Sequence, residues 1–127
     1  MHPEAMLRAI NQTRATVLCA QLEDATTAVS RGKGLMGRPQ LGEGAGMLIG
    51  SGPIPMVWIH TFFMRFPIDL VYVNRANRIL RIVPAVKPWR ISAPVLGACG
   101  CLELEAGAAA RQRTEVGDEV RFERIEK

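Results

Sequence analysis

Residues 58–73, W-I-H-T-F-F-M-R-F-P-I-D-L-V-Y-V, set His60, Arg65 and Asp69 in a run otherwise apolar enough to be core. Ionisable groups in such a run must be paired or kept near water, because an unpaired buried charge is costly. Arginine carries a planar fork of donors that matches a carboxylate or another oxyanion. Two arginines are candidates to meet Asp69: Arg65, four residues before it, and Arg38, which follows a glycine turn. The sharper reading is a pocket for an anion or polar ligand, with Asp69 holding the guanidinium in place. The plainer one is a structural ion pair tying the turn at residues 34–38 to the sheet. His60 and its neighbour Thr61 add an acid-base possibility, since a carboxylate that met the imidazole would orient it for proton transfer. A lone histidine on an apolar strand is more often a hydrogen-bonded rim residue. No serine or cysteine stands in a recognisable nucleophile setting beside it.

Other chemistries find less support. G-K-G-L-M-G, residues 32–37, lacks the spacing and the Lys-Ser/Thr ending of a phosphate loop, so its glycines are assigned to a turn. Cys99 and Cys101 are two apart and face one way on a strand, but two thiols make only part of a zinc site. No second Cys or His pair completes it, so the cysteines are read as small buried hydrophobes and no metal or other cofactor is expected.

These residues need a scaffold, and the pattern around them is one of short strands. Residues 14–23 have the length and β-branched content of a strand, and residues 24–30 continue in that style after a turn expected at Glu23-Asp24. G-M-L-I-G at 46–50 and residues 57–61 follow, separated by a loop fixed by Pro53 and Pro55. Residues 69–73, the turn N-R-A-N at 74–77 and R-I-L-R-I-V make the clearest hairpin. One strand is expected over residues 95–105, about two helical turns over 106–113, and a last strand after Gly117-Asp118. The expectation is a mainly β fold, a small single-domain antiparallel β barrel or sandwich with one or two short helices. An open α/β sheet is disfavoured because no regular crossover helices are available.

Length and composition agree. The 127 residues suit one hydrophobic core, and 48% apolar content excludes a disordered chain. Residues 1–13 read as a flexible polar leader and 14–127 as a single β-rich domain. The formal charge of +4 is spread from Arg8 to Lys127 with no basic block, so nucleic acid is not an expected partner. Residues 44–64 carry no formal charge and approach the length of a membrane span, but Gly50, Gly52, Pro53 and Pro55 break that run. With no apolar signal segment at the start, a soluble, cytoplasmic chain is expected.

Five motifs in order, G-L-M-G-R (34–38), G-M-L-I (46–49), H-T-F-F-M-R-F-P-I-D (60–69), L-E-L-E-A-G (102–107) and V-G-D (116–118), together resemble a bacterial and archaeal family. It is known as domain of unknown function one hundred and ninety-two. The resemblance covers roughly residues 16–122. It implies a mainly β single domain with signature polar positions at Arg38, His60, Thr61, Asp69 and Glu103, and it implies no activity. The leading expectation is a non-enzymatic accessory or ligand-binding domain with an anion-accepting groove drawn from Arg38, His60, Thr61, Arg65, Asp69 and Glu103. Its partner would be a small polar or anionic ligand, or a protein. The alternatives are a small hydrolase or isomerase using His60 and Asp69, and a purely structural charged network.

Overall fold

A computed structural model describes residues 6–26, 35 and 37–125. In chain order the elements are β1 (Met6–Asn11), β2 (Thr16–Ala25), β3 (Ala45–Gly50), β4 (Met56–Val57), β5 (Ile68–Val73), β6 (Ile79–Val86), β7 (Val95–Leu96), β8 (Gly100–Glu105), the short helix α1 (Ala108–Arg111) and β9 (Val120–Arg124). Seven strands form one curled sheet, a half-barrel, in the order β6-β5-β8-β3-β2-β1-β9. β4 and β7 pair separately as a small ribbon. The mainly β architecture is therefore as expected.

Local departures have physical causes. Residues 6–11, expected within a polar leader, form β1, because Ala9 and Asn11 are buried and the strand pairs with both β2 and β9. The turn expected at Glu23-Asp24 is absent: β2 runs on to Ala25, and the first hairpin is β1 with β2. Since β2 does not reverse there, β3 lies beside it in parallel, the one parallel pair among the described strands of this sheet, and the strand expected to continue to residue 30 falls largely outside the described residues. The strand expected over residues 95–105 is interrupted by left-handed Gly97, giving β7 and β8. The helix over 106–113 is reduced to four residues. A helical turn before Pro39 falls largely outside the described residues.

All six residues of β5 are buried, which explains why every one but Asp69 is apolar or aromatic. Val71 and Val73 point into the curl, against Leu22, Leu102, Leu104, Ile79 and Val120. Ile68, Leu70 and Tyr72 point outward under a covering layer that includes Leu35, Val57, Ile59, Met64 and Val95. The sheet edges meet at one end, where Ile79 N–H donates to Asp118 O at 2.8 Å and Val120 N–H to Asn77 O at 2.8 Å. A buried knot secures this corner: Asp118 accepts from Asn11 Nδ2 (3.0 Å), Arg14 Nε (3.0 Å) and the Glu115 amide (2.9 Å). Burial acts to raise the Asp118 pKa, but these hydrogen bonds outweigh it and hold the carboxyl below its ordinary value.

Close packing of β3 on β8 depends on Gly46, where an added Cβ would lie 2.8 Å from Glu103 O and 2.9 Å from Leu104 Cδ2. Backbone cannot yield cheaply at the centre of a sheet. Gly46→Ala is expected to cost roughly 1–3 kcal/mol, read as a lowered urea midpoint at constant slope; an unchanged midpoint would show that the strands separate freely.

Candidate functional site

The register of the central strands builds a polar row on the outward face. Glu23 stands opposite Met47, Met47 opposite Glu103, and Glu103 opposite Leu70, so the four side chains share one side of the sheet. Arg38 closes over the row from the turn at residue 37, where left-handed Gly37 donates its N–H to Phe63 O at 3.0 Å. Its guanidinium grips Glu23 with two parallel bonds, Nη1 to Oε2 at 2.7 Å and Nη2 to Oε1 at 3.1 Å. This planar fork-to-fork match is the geometry arginine favours.

Glu103 differs from Glu23 in its surroundings. Only 5% of its surface is exposed, and it stands between Met47 and Leu70 on the neighbouring strands. Burial pushes its pKa up to about 8, against the opposing charge of Arg38. At neutral pH it is mostly a neutral acid, able to donate as well as accept. Cys101, two residues earlier on the same face, is buried and its thiol is likewise pushed up by burial. Beyond Glu105, on that same face, a cleft of about 410 Å³ opens between Gln40, Leu41, Phe66 and Pro67.

Asp69 lies on the opposite side of the sheet, in register with Leu104 rather than Glu103. Its carboxylate accepts the amides of Ala85 (2.9 Å), Gly107 (3.1 Å to each oxygen) and Ala109 (3.0 Å). It is a remote cap for α1, whose own N-cap, Gly107, has no side chain to offer. The expected partnership of Arg38 with Asp69 is thus replaced by Arg38 with Glu23.

His60 and Asp69 do not share a hydrogen bond either. His60 Nδ1 accepts the Phe62 amide at 3.2 Å, and its ring stacks on Phe62 at 4.9 Å. Thr61 is buried as a staple: Oγ1 donates to Lys87 O at 2.7 Å and accepts the Arg90 amide at 2.8 Å. Arg65 is exposed and makes no ion pair among the described residues. The six candidate residues therefore divide into a polar row (Arg38, Glu103), a cap (Asp69), a staple (Thr61) and two residues outside these, half-buried His60 and exposed Arg65.

Three participants, Glu23, Asn11 and Arg14, are not among the sequence candidates. Glu23 looked like part of a charged turn with Asp24, although its alternation with buried Leu22 was available as a strand signal. Asn11 and Arg14 were obscured because the knot at Asp118 spans more than a hundred residues of chain. The three cysteines are free, and among the described residues no three His, Cys, Asp or Glu side chains gather as a metal site. No described helix is long and apolar enough to cross a membrane.

Relatives with known sequences and structures share this framework. A UPF0127 protein from Thermococcus sibiricus is 29% identical over 114 residues, covering 90% of this chain and 73% of its own length. The crystal structure of a protein of unknown function from Novosphingobium aromaticivorans superposes with a TM-score of 0.73 at 24% identity, over 91% of this chain and 83% of that one. A candidate transcription regulator from Sinorhizobium meliloti gives 0.75 at 23% identity, over 96% and 98%. At these identities the structural likeness speaks for the fold alone. The sequence profile of one family matches residues 9–122, and the chain belongs to that family, DUF192, described as an uncharacterized ACR.

Proposed function

We propose that this chain is a non-enzymatic ligand-binding domain whose site is the Glu23, Arg38 and Glu103 row with the cleft beside it. The observation that carries this reading is Glu103, a buried carboxyl held mostly neutral near pH 7 in the same row as the bidentate Arg38–Glu23 pair. A neutral carboxyl can both donate and accept, and a few convergent polar groups near an apolar-walled cleft are what a small polar ligand uses to fix its orientation. The row also narrows the ligand. Glu23 already neutralises Arg38, and Glu103 near neutrality is mostly uncharged, so the site has little net charge to draw an anion. A small polyhydroxyl molecule, exchanging hydroxyl hydrogen bonds with Glu103, fits better.

The acid-base alternative has less behind it, since His60 and Asp69 each spend their hydrogen bonds on backbone amides. The ligand reading is tested by thermal shift with sorbitol, glucose and glucosamine at low millimolar concentration, where general osmolyte stabilisation is negligible. One of them is expected to raise the melting temperature by several degrees, as mass action predicts for a ligand well above its dissociation constant. Arg38→Ala is expected to abolish the shift. A shift of equal size in that variant would remove the row from the site.

A further inference from the structure

The covering layer has an outer face that the ligand reading does not use. β4 and β7 pair Met56 with Leu96 and Val57 with Val95, and the ribbon extends to a bridge between His60 and Ile91. Val57, Val95 and Ile59 turn inward to the core. The alternate positions therefore turn outward. Trp58, His60 and Phe62 form a row of rings with centroids 6.1 and 4.9 Å apart. It continues to Trp89, 5.9 Å from Phe62, and ends at Phe63, 4.7 Å from Trp89. Phe63 is 62% exposed, Trp89 56% and Ile91 63%.

This face is held in place rather than loosely displayed. Phe63 and Trp89 both have left-handed backbone, with φ of 64° and 65°, a conformation that bulky residues rarely adopt. Thr61 fixes both turns: its N–H donates to Arg90 O at 2.8 Å, and its carbonyl accepts the Trp89 amide at 2.9 Å and the Met64 amide at 3.2 Å. Two strained turns are thus locked with their rings outward.

The charges of the segment that carries it are of one sign apart from one buried acid. From residue 44 to residue 102 the sequence contains six cationic residues and one acid, and that acid is Asp69, buried on the far face of the sheet. Arg65, Lys87 and Arg90 flank the rings in sequence and are exposed. An aromatic and aliphatic face with a cationic rim complements an anionic bilayer, where indole and phenyl rings settle at the headgroup boundary and lysine and arginine meet lipid phosphates. A single-stranded nucleic acid would use the rings for stacking but gives no role to exposed Ile54, Ile91 and Leu96. A second copy would bring two cationic rims together.

We infer that the outward face of the β4/β7 ribbon, with Phe63 and Trp89 at its tip, docks on the surface of an anionic lipid membrane. The two tryptophans of the chain, Trp58 and Trp89, both lie on this face, so intrinsic fluorescence reads it directly. With the full chain and vesicles of equal phosphatidylglycerol and phosphatidylcholine, the expected result is co-flotation, a blue-shifted emission and quenching by brominated acyl chains. Affinity for pure phosphatidylcholine vesicles is expected to be at least tenfold lower, and added salt should weaken the binding.

The double variant Phe63→Ser, Ile91→Ser is expected to lose at least tenfold in affinity with an unchanged melting curve. The double variant Lys87→Glu, Arg90→Glu is expected to lose the preference for anionic lipid. The inference is overturned by an absence of vesicle binding, or by undiminished binding of the first variant. It is equally overturned if oligothymidylate or self-association shifts the tryptophan emission while vesicles do not.

Discussion

Asp69→Asn is expected to lower the free energy of unfolding by about 3 kcal/mol, because a single carboxylate satisfies three backbone donors from two distant segments. One oxygen takes Ala85 and Gly107, the other Gly107 and Ala109. Asparagine has nearly the same shape but only one acceptor oxygen. Whichever way its amide is turned, an NH₂ group faces at least one of these N–H donors, and a buried donor is left without an acceptor. Helix α1 is four residues long and its cap is a glycine, so it cannot replace the lost contact from within. The consequence should reach both elements that meet at Asp69. Urea unfolding would give the stability change, and amide exchange would show Ala85 and Ala109 losing protection together. A change below about 0.5 kcal/mol, within the range of ordinary surface substitutions, would mean that water or a neighbouring group serves these amides as well as Asp69 does.

The same residue shows what a sequence reveals and what it withholds. An acid at the start of an all-apolar strand had to be paired or multiply hydrogen-bonded, and that much followed from solvation alone. Which donors would serve it did not follow, because the amides of Ala85, Gly107 and Ala109 have no side-chain signature. The strands and hairpin of residues 68–86 were legible because alternation, the N-R-A-N turn and β-branched residues agree there. β2 was misread at Glu23-Asp24 because adjacent charges mimic a turn, while the signal against it was the tertiary pairing of Glu23 with Met47. The polar row was half visible for the same reason. Arg38 and Glu103 were candidates, but Glu23, the carboxylate that Arg38 holds, had been spent on a turn. The aromatic face was read as core. Period-two alternation says that Trp58, His60 and Phe62 share a side, but not which side meets solvent, since both sides of residues 57–62 are apolar.

Glu103→Gln is expected to remove most of the pH dependence of stability between mildly acidic and mildly alkaline solution. In the folded chain the Glu103 carboxyl keeps its proton up to about pH 8, whereas its ordinary value is 4.5. Across that interval the folded state binds more protons than the unfolded state, so stability falls as pH rises from the lower value to the higher. Above it both states are ionised and the loss is complete. Asp118 acts in the opposite sense and elsewhere on the scale: its lowered pKa contributes stability that is lost only in acid, below the carboxyl's ordinary value. Cys101, two residues away on that face, is pushed above its ordinary 9.0 and stays neutral throughout. The wild-type chain should therefore lose about 2–4 kcal/mol between pH ~5 and pH ~8.5 from this group, roughly 10 °C in melting temperature for a domain of this size. Glutamine is neutral and nearly isosteric, so the variant should match the wild type near pH 5 and exceed it near pH 8.5. Parallel curves for the two proteins would mean that Glu103 is ionised and paired in the fold, most simply by Arg38 turning from Glu23 to meet it. The polar row would then carry a net negative charge, and its ligand would have to be sought among cations rather than polyhydroxyl molecules.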